Sequence, residues 1–283
     1  MKINKSGMAI SSILYSILVL FLVLLFGILT LLASGKYSFD KLKTQIINKL
    51  SGDKDISTTS DKCFNFDYNT GTIKGFNFRM TGCSGDVVIP ESIDYVVVKS
   101  IDNNAFYNED NYEIDKLDFS NAKYLSSIGD NAFRERSIGS INFGNLINLL
   151  SIGNYAFANT GVSEIFIDNL PMIKSIGNYA FANNSISNFS FENVKSLQNI
   201  EDYAFYNNML TTITLPNSVN KIGEFTFGLN SLTTVTLGNS LNSVGQTAFD
   251  NNFALVTINI DMINGSITGS PWGATNATIK WRT

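Results

Sequence analysis

The chain has no histidine, only two cysteines, and few cationic residues beyond its N-terminal segment. Each shortage removes a class of function. Without histidine no Ser-His-Asp or Cys-His pair exists, so the commonest schemes for activating a nucleophile are absent. Two Cys without His fall short of a tetrahedral zinc set, and no metal or other cofactor is expected. Residues 61–283 carry 13 Lys and Arg against 21 Asp and Glu, a net charge of −8. That balance opposes the phosphate contacts on which nucleic-acid affinity rests, so nucleic acid is not expected as a partner. Residues 1–60 differ, with seven Lys against three Asp. The acidic residues are scattered along the chain, and the glycines belong to a repeat rather than to a phosphate-binding loop. The chain reads as non-enzymatic.

What is present is a phrase that returns seven times: Ile101 to Phe106, then Ile128, Ile152, Ile176, Ile200, Ile222 and Val244, each running to a Phe five residues on. The closing Phe residues are 27, 24, 24, 24, 22 and 22 positions apart. A period in the low twenties describes a solenoid, whose units bury their apolar face only against their neighbours.

A second phrase interleaves with the first, from Ile114-x-x-Leu117-x-Phe119 to Leu255-x-x-Ile258-x-Ile260. Apolar residues two apart in a β-branched run predict one short strand per coil, with seven strands in register forming a parallel sheet. Alternation then turns two rows outward. One runs Lys116, Ser140, Glu164, Asn188, Thr212, Thr234, Thr257; the other Asp118, Asn142, Phe166, Ser190, Thr214, Thr236, Asn259.

In the turn half, Ile, Ala and Phe are expected in the core. Gly129, Gly153, Gly177, Gly223 and Gly245 are read as permitting a backbone turn. The Asp or Asn that often follows suits the start of a single helical turn. Thr226 replaces the usual Ala at some expected loss of packing. Asn108, Asn159, Asn183, Asn207 and Asn251 predict a buried ladder of side-chain amides bonding neighbouring backbone.

The combined unit, as in LTTITLPNSVNKIGEFTFGLNS (210–231), resembles the BspA-like leucine-rich repeat of bacterial surface proteins, and residues 71–106 resemble the lead-in to that array. The resemblance implies a right-handed, curved leucine-rich-repeat solenoid, with a parallel β-sheet on the concave face and short or helical turns on the convex one. It also implies an extracellular location and adhesion to a host matrix or cell-surface protein or glycan, and it carries over no catalytic residue.

No charged residue lies between Lys5 and Lys36. Met8 to Ala33 is almost wholly apolar, long enough to cross a bilayer as a helix of about 39 Å. An ordinary signal peptide has an apolar stretch of only about 7–15 residues, so a retained single-pass anchor in membrane lipid is expected. Cleavage near Ala33-Ser34-Gly35 is the alternative. Gly7 before Met8, with Phe39, Leu42, Ile46 and Leu50 at helical spacing, also resembles a type IV prepilin-like stem, although Ser12 stands where that family places Glu. Lys36, Lys41, Lys43 and Lys49 after the helix run against the positive-inside rule for an external domain; the external orientation rests on the repeat resemblance.

The expected organisation is a leader at 1–7, a transmembrane helix at 8–35, a stalk and linker at 36–61, an N-terminal cap at 62–100, repeats at 101–260 and a C-terminal cap at 261–283. Cys63 and Cys83 are either bridged, closing a loop worth roughly 3 kcal/mol, or free thiols beneath the cap. Ile267, Trp272, Ile279 and Trp281 are expected to cover the end of the core, with a sugar-stacking platform as the alternative for the tryptophans. The expected binding residues are Glu164, Phe166, Asn188, Thr212, Thr214, Thr234 and Thr236, with Phe166 the one aromatic among them; self-association is left open.

Overall fold

A computed structural model describes residues 59–107 and 112–282. The leader, the membrane helix, the prepilin-like stem and most of the stalk lie outside the described residues. Among the described residues no helix is long and apolar enough to cross a membrane.

The described chain is a parallel β-solenoid with two ladders of strands. The narrower ladder was not anticipated. It is built from two-residue strands, Ser100–Ile101, Ser127–Ile128, Ser151–Ile152, Ser175–Ile176, Asn199–Ile200, Lys221–Ile222 and Ser243–Val244, paired in parallel through every coil. Thr72–Phe76 joins its first strand in parallel and pairs with Phe64–Asp67 in antiparallel fashion. The Ile or Val that opens each repeat phrase thus buries its side chain, and every strand of this ladder but the last pairs with a neighbour on both sides.

The wider strands do not form one sheet of seven. Gly85–Val88, Ile114–Asp118, Ile138–Asn145 and Glu164–Asn169 make one four-stranded sheet; Thr212–Thr214, Thr234–Leu237, Thr257–Ile260 and Thr278–Trp281 make another. The coil between them, residues 186–191, forms no strand. Phe189 and Phe191 occupy the inward positions that Ile165 and Ile167 fill before and Ile213 and Leu215 fill after. Their rings pack against Phe205, at 4.8 and 5.7 Å between centroids.

The closing Phe residues form a continuous spine. Phe106, Phe133, Phe157, Phe181, Phe205, Phe227 and Phe249 are all buried and stack in order, with centroids 4.4, 5.1, 5.2, 5.3, 5.6 and 5.8 Å apart. Each such pair contributes about 0.5–1.5 kcal/mol beyond the area it buries. Thr226 loses no packing: it is fully buried, and its hydroxyl donates to the carbonyls of Glu201 and Gly223.

The glycines have a different role from the one expected. None of the five has a positive φ. A Cβ on Gly153 would lie 2.6 Å from the carbonyl carbon of Gly129, and the others meet the preceding coil in the same way. Close approach of coils, not an unusual dihedral, requires Gly here. Where Asp102 and Glu201 stand instead, their carboxylates turn to Lys74 and Lys221 at 2.8 and 2.6 Å.

The Asp or Asn after the glycine starts no helix. Its side-chain oxygen accepts the backbone N–H of the same position one coil later: Asn103 from Asp130, Asp130 from Asn154, Asn154 from Asn178, Asn178 from Asp202, and Asp202 from Glu224.

The buried amide ladder lies one residue beyond the expected row. Asn108 lies outside the described residues; Asn159, Asn183, Asn207 and Asn251 hold φ of 54 to 57°, the left-handed region that Asn tolerates, and the first three are exposed. The buried amides are Asn184, Asn208, Asn230 and Asn252. Asn208 Nδ2 donates to the carbonyls of Phe181 and Phe205, while its Oδ1 accepts the N–H of Ile186. Arg136 holds the equivalent position two coils before Asn184, donating to the Phe106 and Tyr112 carbonyls with its guanidinium 4.2 Å over Phe78.

The ends are covered. Cys63 and Cys83, both buried, are joined as a disulfide with a Cα separation of 5.5 Å. Trp272 is fully buried and its carbonyl accepts the Phe249 N–H, which leaves no ring face for a sugar platform there. Ile279 and Trp281 extend the second wide sheet, opposite Ile258 and Ile260.

The two Asn rows separate in a denaturation experiment. Asn208→Ala leaves the buried Ile186 N–H without its acceptor and removes one of the two amide donors at each of the Phe181 and Phe205 carbonyls, which keep Asn184 and Asn230, and should lower unfolding stability by about 1–3 kcal/mol. Asn207→Gly retains a residue at home in the left-handed region and should change it by less than about 1 kcal/mol. Urea unfolding of each variant against the parent chain measures both.

Candidate binding surfaces

The strand rows are in register. Glu164 pairs with Ser140 and Phe166 with Asn142; Lys116 pairs with Ser140 and Asp118 with Asn142. In the second sheet Thr212, Thr234 and Thr257 align, as do Thr214, Thr236 and Asn259, and the rows continue to Thr278 and Lys280. The expected binding residues therefore fall into two groups. Glu164 and Phe166 lie on the last strand of one sheet, and Thr212, Thr214, Thr234 and Thr236 on the first two of the other. Asn188, exposed, lies on the coil between and belongs to neither ladder.

Phe166 is 52% exposed. Glu164 and Asp168 flank it, both exposed and neither in an ion pair among the described residues. Ile165 and Ile167 beneath it are only partly buried, because the coil that would cover them has left the ladder. An aromatic thus stands at the point where the wall of the solenoid opens.

Asp118 departs from the outward reading: only 9% of it is exposed. Lys116 Nζ lies 2.7 Å from its Oδ2, and its Oδ1 accepts the Ser120 N–H and the Asn142 amide. Burial pushes this carboxyl up, but the Lys116 ammonium and those hydrogen bonds outweigh it and hold it below the usual Asp value.

A second surface, on the turn edge, was not read from the sequence. Asp130, Asn154, Asn178 and Asp202, each with the residue that follows it (Asn131, Tyr155, Tyr179 and Tyr203), line an open furrow of about 530 Å³. The three Tyr rings and Phe225 stack with centroids 4.7, 4.5 and 5.0 Å apart. Arg134 places its guanidinium 5.2 Å over the outer Tyr155 ring. Burial raises the Tyr179 hydroxyl above its usual pKa, and the neighbouring tyrosines add to the effect. The signal that could have revealed this furrow was an aromatic at one position in four consecutive repeats. Elsewhere Tyr124, Leu150 and Met172 border a smaller apolar groove of about 390 Å³. Among the described residues no three Asp, Glu or Cys side chains gather as a metal-ligand set.

Asp118 sets a pH dependence with a definite sign. A carboxyl whose pKa is lower folded than unfolded contributes stability above its unfolded value, near 4, and loses it as pH falls through the folded one. Asp118→Asn should therefore lower the thermal midpoint most near about pH 7, with the gap to the parent closing as the solution is acidified towards about pH 3. A gap that does not change with pH refutes the assignment.

Comparison with known proteins identifies the repeat. The description "BspA type Leucine rich repeat region" matches in six copies, over residues 58–170, 99–197 and 150–270. Among solved structures the chain is similar to a leucine-rich repeat protein of T. pallidum, at 20% identity over 78% of this chain and 91% of that one, with a TM-score of 0.50. It also matches a leucine-rich cell surface protein of Faecalibacterium prausnitzii, at 20% identity over 74% and 56%, with a TM-score of 0.41. A leucine-rich repeat protein of Bacteroides ovatus matches at 17% identity over 81% and 76%, again with a TM-score of 0.41. At these identities the likeness concerns the fold alone. No curated protein matches the chain. The chain belongs to the BspA-type leucine-rich repeat proteins.

Proposed function

We propose that the protein is a membrane-anchored bacterial cell-surface binding protein, an adhesion or cell-contact module that engages a host matrix or cell-surface protein or glycan through its wide-strand face. The observation that carries the reading is Phe166, half exposed between two unpaired carboxylates. Fully burying an exposed Phe contributes about 1.5–3 kcal/mol, so covering a half-exposed one contributes roughly half of that, and aromatic side chains are the usual anchors of interfaces. The surrounding Ser, Asn and Thr rows supply short hydroxyls and amides for the rim of such a contact. The apolar stretch at 8–35 supports an anchor, and the acidic balance of residues 61–283 favours a partner with basic groups near its own apolar contact. In this reading the wide-strand face is the concave wall, and the protein binds without catalysis or cofactor.

Phe166→Ala combined with Thr212→Arg should abolish attachment of intact cells to matrix or to other cells while leaving the thermal midpoint near that of the parent. Unchanged attachment refutes the wide-strand face as the contact surface. Mass spectrometry of the mature N-terminus tests the anchor: an intact Met1 supports it, methylated Met8 supports a prepilin-like stem, and a chain starting near Lys36 supports release. Protease accessibility of the repeats on intact cells should be complete, and full protection defeats the external location.

A further inference from the structure

The furrow on the turn edge has a feature that packing alone does not require. Tyr155, Tyr179, Tyr203 and Phe225 hold φ of 55, 56, 60 and 51°, in the left-handed region that bulky side chains rarely occupy. Asn104 and Asn131 fill the same position in earlier coils, at φ 59 and 54°, where the amide suits the backbone better. The chain therefore keeps three tyrosines at this strained position along the furrow, where the two preceding coils use asparagine. Strain retained along a cleft points to use by a ligand.

The character of that ligand follows from the lining. The Tyr rings lie nearly parallel, with interplanar angles of 4°, so their faces are spent on one another and Arg134 covers the outer face of Tyr155. Ring edges and hydroxyls are left to border the furrow, so a flat apolar ligand has nothing to stack on. The Asp and Asn row gives one oxygen per coil to the next coil's N–H; Asn154 and Asn178 each spend one amide hydrogen on the coil before, which leaves each a second hydrogen beside the carboxylate lone pairs. Donors and acceptors are thus mixed. An anion is opposed by Asp130 and Asp202, and a simple cation leaves the phenol and amide donors unmatched. A hydroxyl group both donates and accepts. The set also repeats with every coil, at about the 4.7–4.9 Å spacing of paired strands, which matches a ligand that itself repeats.

We propose that this furrow binds a linear, neutral oligosaccharide lying along the solenoid, with roughly one sugar ring to each coil from Asp130 to Asp202. The site lies on a different set of residues from the wide-strand contact and stands or falls separately from it.

The test is calorimetric titration of the full chain with cello-, xylo- and chito-oligosaccharides, from disaccharide to hexasaccharide. Affinity should rise with length and level off near the tetrasaccharide in at least one series. Tyr179→Phe with Tyr203→Phe keeps the stacked rings, as Phe225 does naturally, and removes two hydroxyls; it should weaken binding by about tenfold or more. Tyr179→Asn with Tyr203→Asn, a residue already native at this position in earlier coils, should weaken it at least as much. Phe166→Ala should leave it unchanged. Three results overturn the proposal: no saturable binding of any of these sugars, binding unaffected by the Tyr-to-Phe pair, or binding of a lysine-rich peptide in place of sugar.

Discussion

Neighbouring coils approach so closely that one added methyl at Gly153 would collide with the backbone of the coil before it. The rest of the structure depends on that approach. It brings the two-residue strands within hydrogen-bonding reach and lets seven Phe rings stack without a gap. It also puts the Asp and Asn oxygens where the next coil's N–H groups need an acceptor. A coil has no closed core of its own, so stability resides in the interfaces between units. The buried amides serve the same end from inside. Each turn would otherwise bury backbone groups without partners, at a cost comparable to a lost hydrogen bond, and Asn208 bonds two carbonyls and one N–H of this kind.

Much of this was legible because periodicity reports burial directly. The Ile, Ala and Phe of each phrase fall in the core, and the outward strand residues pair as the spacing requires. What was not legible turned on differences that a repeat pattern does not contain. Asn183 and Asn184 are adjacent and chemically identical, yet one occupies a left-handed turn in solvent and the other bonds buried carbonyls. Choosing between them needs the backbone path. The broken sheet is equally hidden: Phe189 and Phe191 satisfy the apolar pattern as well as Ile and Leu do, yet residues 186–191 form no strand. Asp118 follows the outward alternation but sinks between Lys116, Ser120 and Asn142 because a short carboxylate there has three partners within reach. The Tyr row was visible in the sequence, but it lies in the turn half, where the pattern speaks of packing and not of surface.

The break between the wide sheets bears on how a partner would meet this face. A continuous parallel ladder offers a flat, uniformly polar wall of Ser, Thr and Asn. Loss of the ladder over residues 186–191 uncovers the flanks of Ile165 and Ile167 and leaves Phe166 at the margin. Apolar area and unpaired carboxylates then coincide at one place on a wall that is otherwise featureless. Interface energy usually concentrates in such a place, with the surrounding polar rows serving mainly to exclude water.

Both surfaces lie where neighbouring coils differ. The strand wall opens at the coil that leaves the ladder, and the furrow runs along the coils with Tyr at a left-handed position, against Asn in the two coils before them. A solenoid tolerates such departures because each coil touches only its neighbours, so a local change is not propagated through the whole core. The converse also holds. Coils that follow the rule closely, such as the Thr-rich pair at 210–237, present surfaces set by β-propensity alone and have least to distinguish one partner from another. Specificity in this array should therefore reside in its irregular coils, while the regular ones hold those irregularities at fixed spacing.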